Sequence, residues 1–394
     1  MNIPLKLGRG SSASSGGPVP LLALGTFAVG TDAFVVAGFL PELADDLDVS
    51  TSTAGLSVTV FAIGYALLSP VLAAVTATVP RRRLLVTALL VLGIANLGSA
   101  LAPGFVALLA SRVLAAAGAA AYTPNAGVAA SSLVPAERRG RALALVVSGL
   151  TVATAVGVPL GGLASRVMGW RPALGLVAGL CLLVAAGLMV LLPRLPGGPR
   201  VPLGTRLAVL RVPSVRLILP VTVLGMAAAY TAYAYAVPVF AALDVTGGAV
   251  QQMLFLYGVG AIVGAQSSGR LTDRFGGTAV LLTGYTAMAG TLLALGALVL
   301  TGASPVILVA LLTWVWGAST WCQTPPQQHR LMAAAPEDAS LVVALNSSGI
   351  YVGIGLGTLI GGLGGGASWM FLSGAALAIL TAVFLTTIRP VSRR

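Results

Sequence analysis

The chain has 394 residues, of which 57% are hydrophobic and 8% are charged, and its formal net charge is +12. Soluble domains carry about 25% charged residues, so this composition excludes an ordinary soluble protein, and its apolar content excludes a disordered chain. The basic residues stand in short gaps between apolar runs and not along one face of a soluble helix, which argues against nucleic acid as a partner.

Twelve apolar runs are long enough to cross a bilayer, since a spanning helix needs about 20 predominantly apolar residues. They are predicted at residues 20–40, 54–77, 84–102, 105–130, 141–165, 171–192, 216–240, 249–270, 278–300, 305–328, 340–362 and 368–388. The longest gap, residues 193–215, is rich in Pro and Gly, which interrupt helices.

These runs predict an all-α integral membrane protein of about twelve transmembrane helices in two six-helix bundles. The predicted bundles cover residues 20–192 and 216–388, with a cytoplasmic linker at 193–215 and cytoplasmic tails at 1–19 and 389–394. One chain of this size can form a whole transport pathway, so we expect it to work as a monomer.

The basic residues also predict orientation, because cytoplasmic loops carry an excess of Lys and Arg. Of the 22 Lys and Arg residues, 19 fall in the tails or in gaps on one side, Arg166 and Arg171 fall on the other, and Arg112 lies within a run. The first gap on the sparse side is acidic and reads PELADDLD. We therefore expect both termini on the cytoplasmic face of a bacterial membrane; the preference for arginine over lysine fits a GC-rich bacterial genome.

A weak internal repeat indicates that the two halves are related. Residues 73–82, AAVTATVPRR, and residues 269–278, GRLTDRFGGT, each follow the second run of their half. Such repeats mark pseudo-symmetric bundles. The second copy resembles the loop signature of the major facilitator superfamily, in which this cluster latches one conformation. The resemblance implies that Gly269 allows close helix approach and that Asp273 and Arg274 pin neighbouring helix ends. The first copy departs from the signature at Ala73 and Ala77.

Two further segments resemble motifs of the same superfamily. The fourth run, LLASRVLAAAGAAAYTPNAG, resembles the helix-4 motif with an intramembrane arginine, here Arg112, six residues before a glycine. The fifth run, SGLTVATAVGVPLGG, resembles the antiporter motif, which favours export over uptake. Its glycines and proline are expected to give a kink and close helix contacts, and they are Gly149, Gly157, Pro159, Gly161 and Gly162.

Asp32 is the only carboxylate placed well inside a predicted run, in the segment GTDAFVVAGFLPELA, which resembles the start of drug and sugar efflux members. A charge at the bilayer centre costs about 2.5–3.5 kcal/mol on insertion scales. Two opposite charges about 4 Å apart attract by about 4 kcal/mol at an effective dielectric constant near 20. We hypothesise that Asp32 holds a proton when apart from Arg112 and releases it when the pair closes. A static brace, or an Arg112 that extends to the headgroups, is the alternative.

The second half offers aromatic and amide groups in place of a spanning acid. Apolar walls with a few polar groups suit an amphipathic ligand. Trp and Tyr also form interfacial belts, and Asn and Gln also tie helices together, so both alternatives stay open. With residues of the first half, the predicted substrate-binding set is Asp32, Phe34, Arg112, Asn125, Tyr230, Tyr233, Trp321, Gln323 and Asn346.

The sequence predicts no metal or cofactor, since no His, Cys or carboxylate cluster has ligand spacing and no phosphate-binding loop occurs. The leading hypothesis is a proton-coupled antiporter that exports small drug-like amphipathic compounds, similar to bacterial chloramphenicol and sugar exporters. Its expected partners are the substrate, protons and membrane lipids. A nutrient uptake carrier of the same fold is the second hypothesis. An integral-membrane enzyme is a remote third, because no catalytic constellation is present.

Overall fold

The computed structural model describes residues 17–199 and 202–388, so most of the two predicted tails lies outside the described residues. Within that part of the chain, twelve helices are long and apolar enough to cross a membrane, which confirms the predicted number. They are α1 (Val19–Gly38), α2 (Thr51–Val75), α3 (Arg81–Ala100), α4 (Phe105–Ser132), α5 (Ala136–Met168), α6 (Trp170–Leu191), α7 (Pro213–Tyr233), α8 (Gly248–Phe275), α9 (Gly277–Thr301), α10 (Val306–Ala334), α11 (Leu341–Leu363) and α12 (Ala367–Thr387).

The linker differs from the irregular segment expected at 193–215. It contains a short helix, Leu203–Ala208, and α7 already begins at Pro213. Proline is favoured in the first turn of a helix because its missing N–H has no intrahelical partner there. The proline at residue 213 therefore starts the seventh span instead of belonging to the linker.

Three spans are interrupted where the sequence predicted continuous helices. The α-helical part of α1 ends at Phe34 and is followed by a 3₁₀ turn. α7 ends at Tyr233, and the first part of α10 ends at Trp321. A new helical segment follows each break and carries a proline, and these segments are Leu40–Asp46, Ala236–Ala241 and Thr324–Ala334. Proline cannot donate to the preceding turn and therefore favours a break there.

Helices α1 to α6 pack against one another, and α7 to α12 form a second bundle. Between the bundles, α2 packs against α11 and α5 packs against α8. The second contact is very close, because a methyl group added at Gly258 would overlap the backbone of Ala155. Small residues allow such backbone approach in membrane proteins.

The halves meet at the end that carries the acidic first loop. The short helices Leu40–Asp46 and Ala236–Ala241 contact each other there. At the opposite, arginine-rich end, the segment Thr324–Ala334 of α10 packs against α7, α8, α9 and α11 of its own half. The short helices therefore join the two bundles at the acidic end.

The glycines of α5 contact both halves. A methyl group at Gly149, Gly157 or Gly161 would overlap α1, and one at Gly162 would approach the Gln251 side chain of α8. A π-helical turn, Ala153–Gly157, precedes Pro159. The antiporter-like segment is thus the strip along which α5 touches α1 and the opposite bundle.

The segment that resembles the loop signature begins within the last turns of α8, and its first glycine makes no comparable contact. A methyl group at Gly269 would meet nothing within 4 Å, so the close approach expected there is wrong for this conformation. Arg274 lies over the Phe275 ring at 5.0 Å. Among the described residues, neither Asp273 nor Arg274 forms an ion pair. The expected pinning by Asp273 and Arg274 therefore stays a prediction.

We expect Gly258→Val to destabilise the described conformation, because overpacking a close contact costs about 1–3 kcal/mol. Gly290→Val is the matched control, since a methyl group at Gly290 meets nothing within 4 Å. Thermal unfolding of the purified variants should give a lower Tm for Gly258→Val than for Gly290→Val. Equal values would contradict the close α5–α8 contact.

Candidate functional site

A buried ion pair joins α1 and α4. Arg112 Nη1 donates to Asp32 Oδ1 at 2.7 Å, and Arg112 Nη2 donates to the Asp32 backbone oxygen at 3.1 Å. Both residues are fully buried, with 0% exposure. The structure thus brings together the two charges that the sequence placed inside the spans, and Arg112 does not extend to a membrane surface.

Small residues let this pair form between closely packed helices. Gly118, six residues after Arg112, lies against the α3 backbone, where a methyl group would come within 2.7 Å of the Ala88 oxygen. On the other side, the Arg112 guanidinium lies over the Phe61 ring at 4.6 Å. A desolvated cation over an aromatic face gains about 2 kcal/mol or more.

The pair is incompletely hydrogen-bonded. Asp32 Oδ2 and Arg112 Nε are buried and have no hydrogen-bond partner among the described residues. Buried polar groups are normally paired, and the exceptions mark sites of strain, ligands or water. One carboxylate oxygen of Asp32 is therefore available to a proton or to a polar group of a ligand.

An aromatic cluster joins Phe34 of the first bundle, two residues after Asp32, to rings of the second bundle. The Phe34 ring of α1 lies 5.9 Å from Tyr230 of α7 and 6.2 Å from Trp321 of α10, measured between ring centroids. Tyr233 lies 4.4 Å from Tyr257 of α8. We call the set Phe34, Tyr230, Tyr233, Tyr257, Trp316 and Trp321 the central aromatic cluster.

The central aromatic cluster occupies the level at which three spans are interrupted. Phe34, Tyr233 and Trp321 are each the last residue of an α-helical segment. Irregular backbone at membrane depth is tolerated where it is buried in protein or lines a cavity. The breaks therefore place backbone groups and aromatic rings from both halves around one central point.

Several polar atoms of this region lack partners. The hydroxyls of Tyr230 and Tyr233, the indole N–H of Trp316 and the Gln251 amide oxygen are buried without a hydrogen bond to any described residue. A buried unpaired group costs about 1–3 kcal/mol. The region thus combines apolar walls with polar atoms that a bound molecule can satisfy.

Three predicted substrate-binding residues form hydrogen bonds within their own half of the molecule. Asn125 is on α4 near the arginine-rich end, where its side chain accepts from Arg81 and donates to the Ala121 oxygen. Gln323 accepts from the Tyr285 hydroxyl and donates to the Thr320 oxygen, inside the second bundle.

Asn346 also lies inside the second bundle, where it accepts from the Thr222 hydroxyl at 2.8 Å. The hydrogen bonds of Asn125, Gln323 and Asn346 therefore lie within one half, while Asn346 Nδ2 is buried without a partner among the described residues. Their place in the substrate-binding set stays a prediction. Amide groups form such interhelical bonds readily because hydrocarbon offers no alternative partner.

Sequence reasoning missed several aromatic residues of the region. Tyr257 and Trp316 belong to the central aromatic cluster, and Tyr65 stacks on Tyr351 of the opposite half at 3.8 Å. Phe61 lies between Arg112 and Tyr351. The glycines of α8 and α10 were a usable signal in the sequence. Gly260, Gly264 and Gly317 bring the two helix backbones into contact, and Tyr257 and Trp316 lie beside these glycines in the sequence.

The described residues contain no group of three or more His, Cys, Asp or Glu side chains that could hold a metal ion. Cys181 and Cys322 are free thiols. The contacts that the site shows are an ion pair, unpartnered polar atoms and aromatic rings.

Comparison with known proteins gives the family. The model of the Major Facilitator Superfamily matches residues 22–340. The chain is 33% identical to the inner membrane transport protein YdhP of Escherichia coli K12 over 372 residues, which cover 92% of this chain and 93% of that protein. It is 34% identical to a chloramphenicol resistance protein of Streptomyces lividans over 352 residues, with 87% and 88% covered.

Solved structures share the fold at low sequence identity. A D-xylose–proton symporter superposes with a TM-score of 0.74 at 18% identity, covering 93% of this chain and 96% of that one. A bacterial homologue of the lysosomal transporter Spinster superposes with a TM-score of 0.70 at 17% identity, with 96% of each chain covered. With two bundles of six helices, a family model matched over most of its length and relatives named as membrane transporters, this chain belongs to the Major Facilitator Superfamily of multi-pass membrane transporters.

Proposed function

We propose that this transporter is a proton-coupled antiporter that exports small amphipathic compounds by alternating access. The observation that carries the proposal is the fully buried Asp32–Arg112 pair, in which one Asp32 oxygen has no partner. An ionisable residue within a membrane span is a functional candidate because its burial is costly.

The pair couples charge to helix arrangement. Removing one partner of a buried ion pair costs about 3–5 kcal/mol, because the other charge remains buried and uncompensated. Protonation of Asp32 has the same effect on Arg112, so the protonated state favours an arrangement in which the guanidinium finds another acceptor or water. By reciprocal linkage, any motion that separates α1 from α4 favours proton uptake by Asp32.

The central aromatic cluster supports a substrate that is mainly apolar with a few polar groups. Its rings supply large contact areas, and its unpaired hydroxyl and indole groups supply hydrogen bonds. Phe34, the member of the cluster that belongs to α1, lies two residues after Asp32. Substrate bound there would contact the same helix that carries the proton site. The similarity of this chain to the chloramphenicol resistance protein of Streptomyces lividans favours the same class of substrate.

Direction is inferred from the arginines. By the positive-inside rule, the arginine-rich end faces the cytoplasm, and the short helices that join the two bundles lie at the opposite end. Substrate would then enter from the cytoplasm in the described conformation. Closure of that end and opening of the acidic end would release it outside, while a proton enters at Asp32.

An uptake carrier that moves substrate together with protons is the second candidate, since a D-xylose–proton symporter shares the fold. The antiporter-like contacts of α5 favour export. Proteoliposomes with labelled chloramphenicol as the probe distinguish the two directions. An acidic lumen drives accumulation by an antiporter, whereas an acidic exterior drives accumulation by a symporter.

We expect Asp32→Asn to reduce accumulation driven by an acidic lumen by about tenfold or more, which corresponds to at least about 1.4 kcal/mol in coupling. Asp45→Asn is the matched control, because Asp45 is exposed on the acidic loop, and it should stay close to the unchanged protein. Normal proton-driven accumulation by Asp32→Asn would refute the coupling role.

A double-mutant cycle distinguishes a proton-coupling role of the Asp32–Arg112 pair from a purely structural role. Asp32→Asn and Arg112→Gln should each lower the free energy of unfolding by about 3–5 kcal/mol, and the double variant should recover much of that loss because no charge stays buried. If the pair couples protons, the stabilised double variant should still lack proton-driven transport, as measured in the same liposomes. Restored transport would favour the brace.

Tyr233→Phe tests the substrate site. The Tyr233 hydroxyl is buried without a hydrogen bond among the described residues, so its removal should not lower Tm and should raise it if the unpaired group is costly, while the KM for substrate rises about two- to tenfold. In the control Tyr122→Phe, the lost hydroxyl donates to the Leu22 oxygen at 3.0 Å, so Tm should fall. An unchanged KM for Tyr233→Phe would remove this tyrosine from the site.

A further inference from the structure

A cleft of about 660 Å³ lies away from the central site, where α3 begins and α6 ends. α3 starts at Arg81 and α6 ends at Leu191, so the cleft sits at the ends of two spans, at the level of the lipid headgroups. Its lining residues are Pro80, Arg82, Arg83, Val86, Thr87, Met189, Arg194, Leu195 and Pro196.

The cleft concentrates positive charge. Three guanidinium groups line it, and among the described residues none of the three forms an ion pair with a carboxylate. Arg82 donates to the Met189 oxygen in the last turn of α6, which accounts for one of them. Arg83 and Arg194 are exposed at the cleft, and among the described residues neither pairs with a carboxylate.

The placement of these arginines is unfavourable unless an anion is present. Arg82 and Arg83 stand in the first turn of α3, where the helix dipole disfavours cations by about 0.3–1 kcal/mol each. In the same turn the Arg81 N–H is bonded to the Leu195 oxygen, and the N-terminal end of a helix favours anions. Charge, helix terminus and cavity therefore converge on one type of ligand, an anion with several oxygen acceptors.

The other side of the cleft is apolar and continues along the membrane-facing surface. Val86, Met189 and Leu195 line it. The adjacent α6 residues Val190 and Leu191 are 77% and 61% exposed. An anion that carries hydrocarbon chains satisfies both surfaces at once, whereas a free phosphate satisfies only the basic one.

We propose that this cleft binds an anionic phospholipid, with its phosphate between Arg82, Arg83 and Arg194 and an acyl chain along the end of α6. Basic pockets between spans recognise anionic headgroups in this way, and each Lys or Arg near the surface attracts them. The site is independent of the proposed transport reaction, because it shares no residue with Asp32, Arg112 or the central aromatic cluster.

The position of the lipid would connect it to the linker. Leu195, in the cleft wall, accepts from the Arg81 backbone N–H at 3.0 Å, and the Gly198 N–H donates to the Ala77 oxygen at 2.7 Å. These bonds fasten the linker to the loop between α2 and α3. A bound lipid would bridge α3, α6 and the start of the linker, and would stabilise that attachment.

Native mass spectrometry and thermal unfolding of the purified chain test the proposal, with phosphatidylglycerol, phosphatidylcholine and inorganic phosphate as probes. Phosphatidylglycerol should be retained and should raise Tm more than phosphatidylcholine does, and inorganic phosphate should not reproduce the effect. The double variant Arg83→Gln with Arg194→Gln should weaken phosphatidylglycerol binding about tenfold or more. Both residues are exposed, so the variant should fold.

The matched control is Arg138→Gln with Arg141→Gln, which removes the same charge from exposed positions at the same end of the molecule. It should keep phosphatidylglycerol binding within about twofold. Equal losses in the two double variants would show general surface attraction and overturn the site. Equal binding of phosphatidylcholine, or full competition by inorganic phosphate, would overturn the assignment to an anionic lipid.

Discussion

The structure depends on one constraint, which is that the bilayer core offers no water to polar groups. Backbone groups satisfy this constraint within twelve helices, and the charges of Asp32 and Arg112 satisfy it by pairing at 2.7 Å. The pair can form only while α1 and α4 stay close, so this buried contact ties the charges of the site to the packing of the first bundle.

The same constraint explains where the molecule tolerates irregular backbone. α1, α7 and α10 break after Phe34, Tyr233 and Trp321, and these breaks face one another between the bundles and not toward lipid. Glycines on α5 and α8 bring the bundles together beside them. In this conformation the close contacts between the bundles lie at glycines, and each break is followed by a helical segment that carries a proline.

Charge outside the spans follows a different rule. Arg171, one of the two arginines on the sparse side, is held by Asp46 at 2.9 Å and by backbone oxygens of Ala100 and Ala102. The arginines of the cleft between α3 and α6 have no comparable carboxylate among the described residues. What each arginine can bind therefore depends more on its position along the membrane normal and on its local partners than on the net charge of the chain.

The sequence by itself determined the twelve spans, the two halves and the pair of charges within them, because apolar length and lone ionisable residues are local signals. It could not place Asn125, Gln323 and Asn346, since an amide that ties two helices and an amide that faces a ligand look alike in one dimension. It also missed Tyr257, Trp316 and the breaks after Phe34, Tyr233 and Trp321. Those features were decided only by the tertiary structure, because they depend on which helix faces lie opposite each other across the two bundles.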